Sequence, residues 1–162
     1  MESITQRKQL ARDITFSALR IVAGIILTAH GWLKLTDLEG WQNQLQSLGV
    51  AAPEAISYFA IAGELLGGLG LIVGLLTPIA AIGTASTSCA AIVLVHWEHG
   101  LMAMNNGFEY PLTLLVVSLF FIANGGGPYS LDALIARQRH AKEEKRASDR
   151  PGSWQSSPHG GG

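Results

Sequence analysis

Residues 54–77 read EAISYFAIAGELLGGLGLIVGLLT. The run is apolar almost throughout, yet one carboxylate, Glu64, sits near its middle among glycines. A helix needs about 20 apolar residues to cross the roughly 30 Å hydrocarbon core of a bilayer, so the stretch reads as a membrane span. An ionised acid at that depth costs about 3 kcal/mol on insertion scales unless it faces a partner or a wet cavity. At about 100° per residue, Ala60, Gly63, Gly67, Leu71 and Gly74 fall on the side of Glu64. Small residues let a neighbouring helix approach closely. Glu64 is therefore expected to point into a helix bundle rather than at lipid. A buried structural acid with no chemistry is the plainer alternative, but intramembrane acids lean toward function.

Outward from this stretch, the rest of the chain repeats the apolar pattern. Of 162 residues, 48% are hydrophobic and 14% are charged, well below the roughly 25% charged of soluble domains. Residues 1–13 are a polar segment carrying Arg7, Lys8 and Arg12. Apolar runs follow at about 14–35, 54–76, 79–97 and 109–123. The first is too long for a secretory signal, is interrupted by Arg20, and lacks a small-x-small cleavage site. The polar connection 36–53 is long enough for a short surface helix, with Trp41 suited to a membrane–water interface. Thr77-Pro78 marks a turn and the start of the third run. Ser130 is placed to cap a short helix from Leu131. Residues 136–162 form a charged tail that becomes low in complexity and is expected to be disordered.

Charge then sets an orientation. Lys and Arg outside the apolar runs lie in the amino-terminal segment and in the tail, and the connections 36–53 and 98–108 carry none. By the positive-inside rule both termini are expected in the cytoplasm. An even number of crossings is then required, and four runs satisfy it. The net charge of −1 makes no electrostatic case for nucleic acid as a partner. The single cysteine, Cys89, forms no CxxC pair, which argues against dithiol chemistry within the chain.

Polar groups inside the runs are the candidate site. Arg20, Gly24, Leu27, Gly31 and Lys34 share one helical stripe. An Arg20–Glu64 ion pair is expected across the first and second runs, with snorkelling of Arg20 as the alternative. Lys34 is expected to snorkel to the outer headgroups. His30, His96, Glu98, His99 and Glu109 gather at the outer ends. Histidine trades protons near neutral pH, so His30, His96 and Glu109 are candidate proton-exchanging groups. Helical register does not by itself send His96 to the centre. Glu109 has a second reading, since Asn106-Gly-Phe-Glu109 has the form of a capping box. No metal is expected: His96-x-x-His99 has ligand spacing without the acid of an HExxH motif.

Several short pieces, in order, carry a family likeness over about residues 19–132. They are Leu19-Arg20, Ala29-His30-Gly31 and Lys34-Leu35; Pro53-Glu54 and Gly63-Glu64-Leu65-Leu66-Gly67-Gly68; Gly74-Leu75-Leu76-Thr77; His96 with Asn106-Gly107-Phe108-Glu109; and Gly127-Pro128 with Ser130-Leu131-Asp132. Together they resemble the DoxX family of four-helix membrane proteins. His99 and the two methionines of HWEHGLMAMNNGFEYP depart from the pattern. The resemblance implies a membrane component of redox systems, similar to the small membrane subunit of thiosulfate:quinone oxidoreductase and to members linked to oxidative-stress complexes.

The expectation is thus an all-α, multi-pass four-helix bundle in the cell inner membrane, with both termini cytoplasmic. It would act as a membrane subunit of a quinone-linked oxidoreductase, with Glu64, Arg20, His30, His96 and Glu109 as its polar site. Its partners would be the lipid bilayer and another redox subunit or a second copy of the chain. A non-catalytic anchor or assembly partner of a redox complex is the rival. A small-solute or proton carrier is a more distant one, because no internal repeat is evident.

Overall fold

A computed structural model describes residues 2–149. The described residues are helical, with no strand among them. Helix α1 spans Glu2–Thr36, α2 Leu38–Ser47, α3 Pro53–Val73, α4 Thr77–Ala91, α5 Glu109–Asn124 and α6 Leu131–Ser148. A π-helical turn, Ile92–His96, and a 3₁₀ turn, Trp97–His99, carry α4 on without a break.

Two helical segments are long and apolar enough to cross a membrane, Pro53–Val73 and Thr77–His99; Glu109–Asn124 is apolar but shorter. Only 39% and 33% of the most apolar windows of the first two are buried. The core helix of a water-soluble domain would be mostly buried, so these helices present apolar faces outward. Leu66, Leu69, Ile79, Val93, Val116 and Leu119 are all exposed, an apolar surface of the kind that marks a membrane or protein interaction face.

Glycines set how closely the helices approach. A Cβ on Gly24 would lie 2.7 Å from the Gly68 carbonyl, and one on Gly68 would lie 2.8 Å from the Gly24 carbonyl. Helices α1 and α3 therefore meet almost backbone to backbone, as small-residue interfaces allow. Thr84 of α4 and Ser118 of α5 share a 2.8 Å hydrogen bond between hydroxyls. The buried apolar centre is Leu27, Leu71, Ala81, Leu114 and Phe121. Phe16 of α1 closes the bundle against Phe120 and Phe121 of α5, each with ring centroids 5.4 Å away.

Two boundaries differ from expectation. Helix α1 begins at Glu2 rather than at residue 14, so the polar amino-terminal segment continues the first apolar helix as an exposed extension. The charged tail is also not disordered from residue 136, because α6 runs to Ser148. Ser130 starts α6 as its spacing implied, its Oγ accepting from the Ala133 amide at 3.1 Å. Ala, Arg, Lys and Glu fill α6, all good helix formers, which composition read as solvation alone had discounted. The expected disorder of residues 150–162 lies outside the described residues.

Helix α6 is moored by Asp132. Its carboxylate accepts from the Leu76 amide at 2.7 Å and from the Thr77 amide and hydroxyl, both at 2.8 Å. This holds Leu76 at a left-handed φ of 48°, a conformation that costs a non-glycine residue energy. Burial alone would raise the Asp132 carboxyl, but the bonds from Thr77 and Leu76, with the charge of Arg20, bring it below the usual carboxylate range. A lowered folded value means that the stabilisation is present above the unfolded value of about 3.9 and is lost as pH falls through the folded one. Asp132→Asn is expected to cost roughly 1–2 kcal/mol at pH 7. The gap in Tm between wild type and variant should begin to narrow as pH falls below about 4. A gap that does not narrow at all in acid would show that the carboxylate does not act through its charge.

Candidate functional site: a polar cavity around Lys34 and Glu64

Glu64 is 6% exposed and faces the bundle interior. Its cation is Lys34, not Arg20. The Lys34 ammonium donates directly to Glu64 Oε1 in a close ion pair, with the two side chains 17% and 8% exposed. This corrects two expectations, the Arg20–Glu64 pair and the outward snorkelling of Lys34. The cause is helix register. With Thr28 against Gly68 and Gly31 against Leu65 in antiparallel helices, Glu64 lies level with about residue 32 of α1. Arg20 is then about 18 Å away along the axis, more than three turns toward the other end. Lys34 is only about 3 Å away along the axis, and its side chain leans toward the amino end of its helix and so toward Glu64.

Arg20 serves another purpose. Only 1% exposed, its guanidinium donates to the carbonyls of Leu71, Ile72 and Tyr129, the last two at 3.2 and 2.9 Å. Carbonyls in a last helical turn lack partners along the helix, and a cation there also meets the negative end of the helix dipole. Arg20 thus caps α3 and ties it to the segment leading into α6.

The Lys34–Glu64 pair lines a cavity of about 250 Å³ between α1, α2, α3, α4 and α5. Its polar wall includes His30, Trp41, Gln44, Ser88, His96 and Tyr110, and Leu27, Val95 and Leu114 supply apolar surface. Trp41, expected at a membrane interface, turns inward: the Lys34 ammonium sits 4.8 Å from its ring centroid, a cation–π contact. The Tyr110 hydroxyl lies 3.2 Å from His30 Nε2. The His96 ring meets the Asn106 carbonyl through Nδ1 at 2.7 Å.

His96 reaches this cavity because of the π turn at Ile92–His96. A π turn holds one residue more than the α-helix allows, which turns the side chains beyond it by about 100° relative to plain helical register. The expectation from register is corrected by this local widening.

Of the five candidate residues, the cavity gathers Glu64, His30 and His96. Glu109 stands apart: its carboxylate accepts from the Ala103 amide at 2.8 Å and ties down the preceding loop. The capping-box form is not realised, since Phe108 occupies the cap position without a side-chain bond. Sequence reasoning missed Trp41, Gln44 and Tyr110. The signal for Tyr110 was available, because it follows Glu109 at the start of an apolar run. The inward turn of α2 had no such signal. Among the described residues, no three His, Cys, Asp or Glu side chains group as metal ligands, and Cys89 is exposed on the outer surface.

Apolar helices with outward-facing apolar sides around an ion-paired cavity define a membrane protein with an internal polar pocket. The comparisons make the assignment narrower. The DoxX family model matches residues 15–97, which hold Lys34, Trp41, Glu64 and His96. The chain is similar to "Putative oxidoreductase CatD" of Bacillus subtilis, 32% identical over 117 residues that cover 72% of this chain and 84% of that one. It is similar to "Inner membrane protein YqjF" of Escherichia coli, 30% identical over 131 residues that cover 78% of this chain and 95% of that one. No solved structure matches. The chain belongs to the DoxX family.

Proposed function

We propose that α1, α3, α4 and α5 cross the cell inner membrane with both termini cytoplasmic, and that the cavity is the quinone site of a membrane oxidoreductase subunit. The clustering of Lys and Arg in residues 1–13 and 136–150 supports the orientation. The oxidoreductase name of the Bacillus relative and the inner-membrane name of the Escherichia relative point the same way.

The observation that carries the reading is the composition of the cavity wall: a buried ion pair, two histidines and a tyrosine hydroxyl around about 250 Å³. That volume lies just below the range typical of drug-sized ligands and suits a single substituted ring. A quinone becomes a quinol by taking two electrons and two protons. The electrons would come from a partner redox subunit. Lys34 has three donors and gives one to Glu64, which leaves two for an oxygen gaining negative charge. His30 with Tyr110, and His96, would hand over the protons. All three sit at the end that this orientation puts outside.

Tyr110→Phe tests this. In membrane vesicles containing the partner system, it is expected to lower quinone reduction about a hundredfold, the low end of what positioned proton transfer contributes, with protein abundance unchanged. Unchanged turnover would remove Tyr110 from the proton path. Reduced abundance at normal turnover per molecule would favour the anchoring role instead.

A further inference from the structure

Two residues that line the cavity each carry a buried polar atom without a hydrogen-bond partner in the protein, Glu64 Oε2 and Trp41 Nε1. They flank the same ammonium, since Lys34 pairs with Glu64 Oε1 and lies over the Trp41 ring. A buried polar group left unpaired costs the full desolvation of that group, and native proteins seldom leave one so. Two together on one cavity describe the ligand that completes them. A carboxylate oxygen only accepts, and an indole N–H only donates. The missing group must therefore bring a hydrogen to Glu64 and a lone pair to Trp41.

We propose that the cavity selects the hydroxyl-bearing, reduced form of its ligand, an aromatic diol of the quinol class, over the oxidised quinone. This rests on the quinone-site reading and deepens it. A phenolic hydroxyl both donates and accepts, so a diol brings what each atom lacks. A quinone carbonyl only accepts. It serves Trp41 but sets its lone pairs against Glu64 Oε2. A ring ether has the same defect. Tighter binding of the reduced form raises the potential of the bound couple, by about 30 mV for each tenfold in affinity in a two-electron couple.

The test is equilibrium dialysis of the full chain in mild detergent, without oxygen, against three probes: durohydroquinone, duroquinone and the dimethyl ether of durohydroquinone. Durohydroquinone is expected to bind about tenfold or more tighter than the other two, the worth of one hydrogen bond and a relieved repulsion. Trp41→Phe should weaken durohydroquinone about five- to tenfold, the loss of one donor. Glu64→Gln offers an amide donor in place of the acceptor, and should erase the preference for the reduced form. Equal binding of all three probes, or an unaltered preference in both variants, overturns the proposal and leaves the quinone-site reading standing. Binding of no probe overturns the proposal as well, and the Tyr110→Phe turnover assay then decides the quinone-site reading by itself.

Discussion

Lys34→Met is expected to destabilise the protein by about 3–5 kcal/mol, the cost of breaking a buried ion pair from one side, and to abolish quinone-linked turnover. Methionine matches much of the lysine stem, so packing changes little. The loss comes from Glu64, whose carboxylate keeps only 8% exposure and has no other partner among the described residues. Glu64→Gln is the milder change. It leaves an ammonium that is 17% exposed, on the edge of a cavity it can turn into, and about 2 kcal/mol is expected. Turnover should be lost in both variants while each still enters the membrane. Thermal unfolding of the purified variants measures the first effect and quinone reduction by vesicles the second. A wild-type Tm for Lys34→Met would mean that the pair is not buried as described.

Arg20→Met carries the second large effect, and of a different kind. Three carbonyls at the end of α3 and before α6 lose their donor at once. At about 1.5 kcal/mol or more for each bond to a charged group, less whatever the carbonyls regain elsewhere, a loss of about 3 kcal/mol or more is expected. Arg20 lies about 21 Å along α1 from Lys34, fourteen residues at 1.5 Å each. Folded Arg20→Met should therefore bind durohydroquinone within about twofold of wild type, since no group on the cavity wall has changed. Its cost should appear as a lower Tm and lower abundance. Arg20→Lys should recover little, because an ammonium cannot reproduce the forked guanidinium geometry. Normal stability with weakened binding would return Arg20 to the site.

These two cations show where sequence stopped being legible. Their stripe on α1 was readable from spacing, and so was the burial of Glu64 among small residues. Which cation pairs with Glu64 depends on the sliding register of two antiparallel helices. Gly24 and Gly68 set that register by backbone contact, and no single-helix pattern contains it. His96 illustrates a second limit. One π turn shifts everything beyond it, and a regular 100° projection places the ring on the wrong side. Trp41 illustrates a third. Composition marks an interfacial aromatic, but α2 folds inward and lays that ring beside the ammonium. Apolar length and small-residue faces were legible because the bilayer imposes them. Contacts between elements were not, because a shift of one or two residues decides them.

The most direct measurement is a double-mutant cycle on Lys34→Met and Glu64→Gln, read as unfolding free energy in detergent. Neutralising both partners removes the stranded charge. The double variant is expected to be at least about 2 kcal/mol more stable than Lys34→Met alone, which with about 2 kcal/mol for Glu64→Gln makes a coupling energy of about 4 kcal/mol, above the roughly 0.5–3 kcal/mol usual for residues in contact. Losses that simply add would contradict a direct Lys34–Glu64 pair, and with it the polar cavity built around that pair.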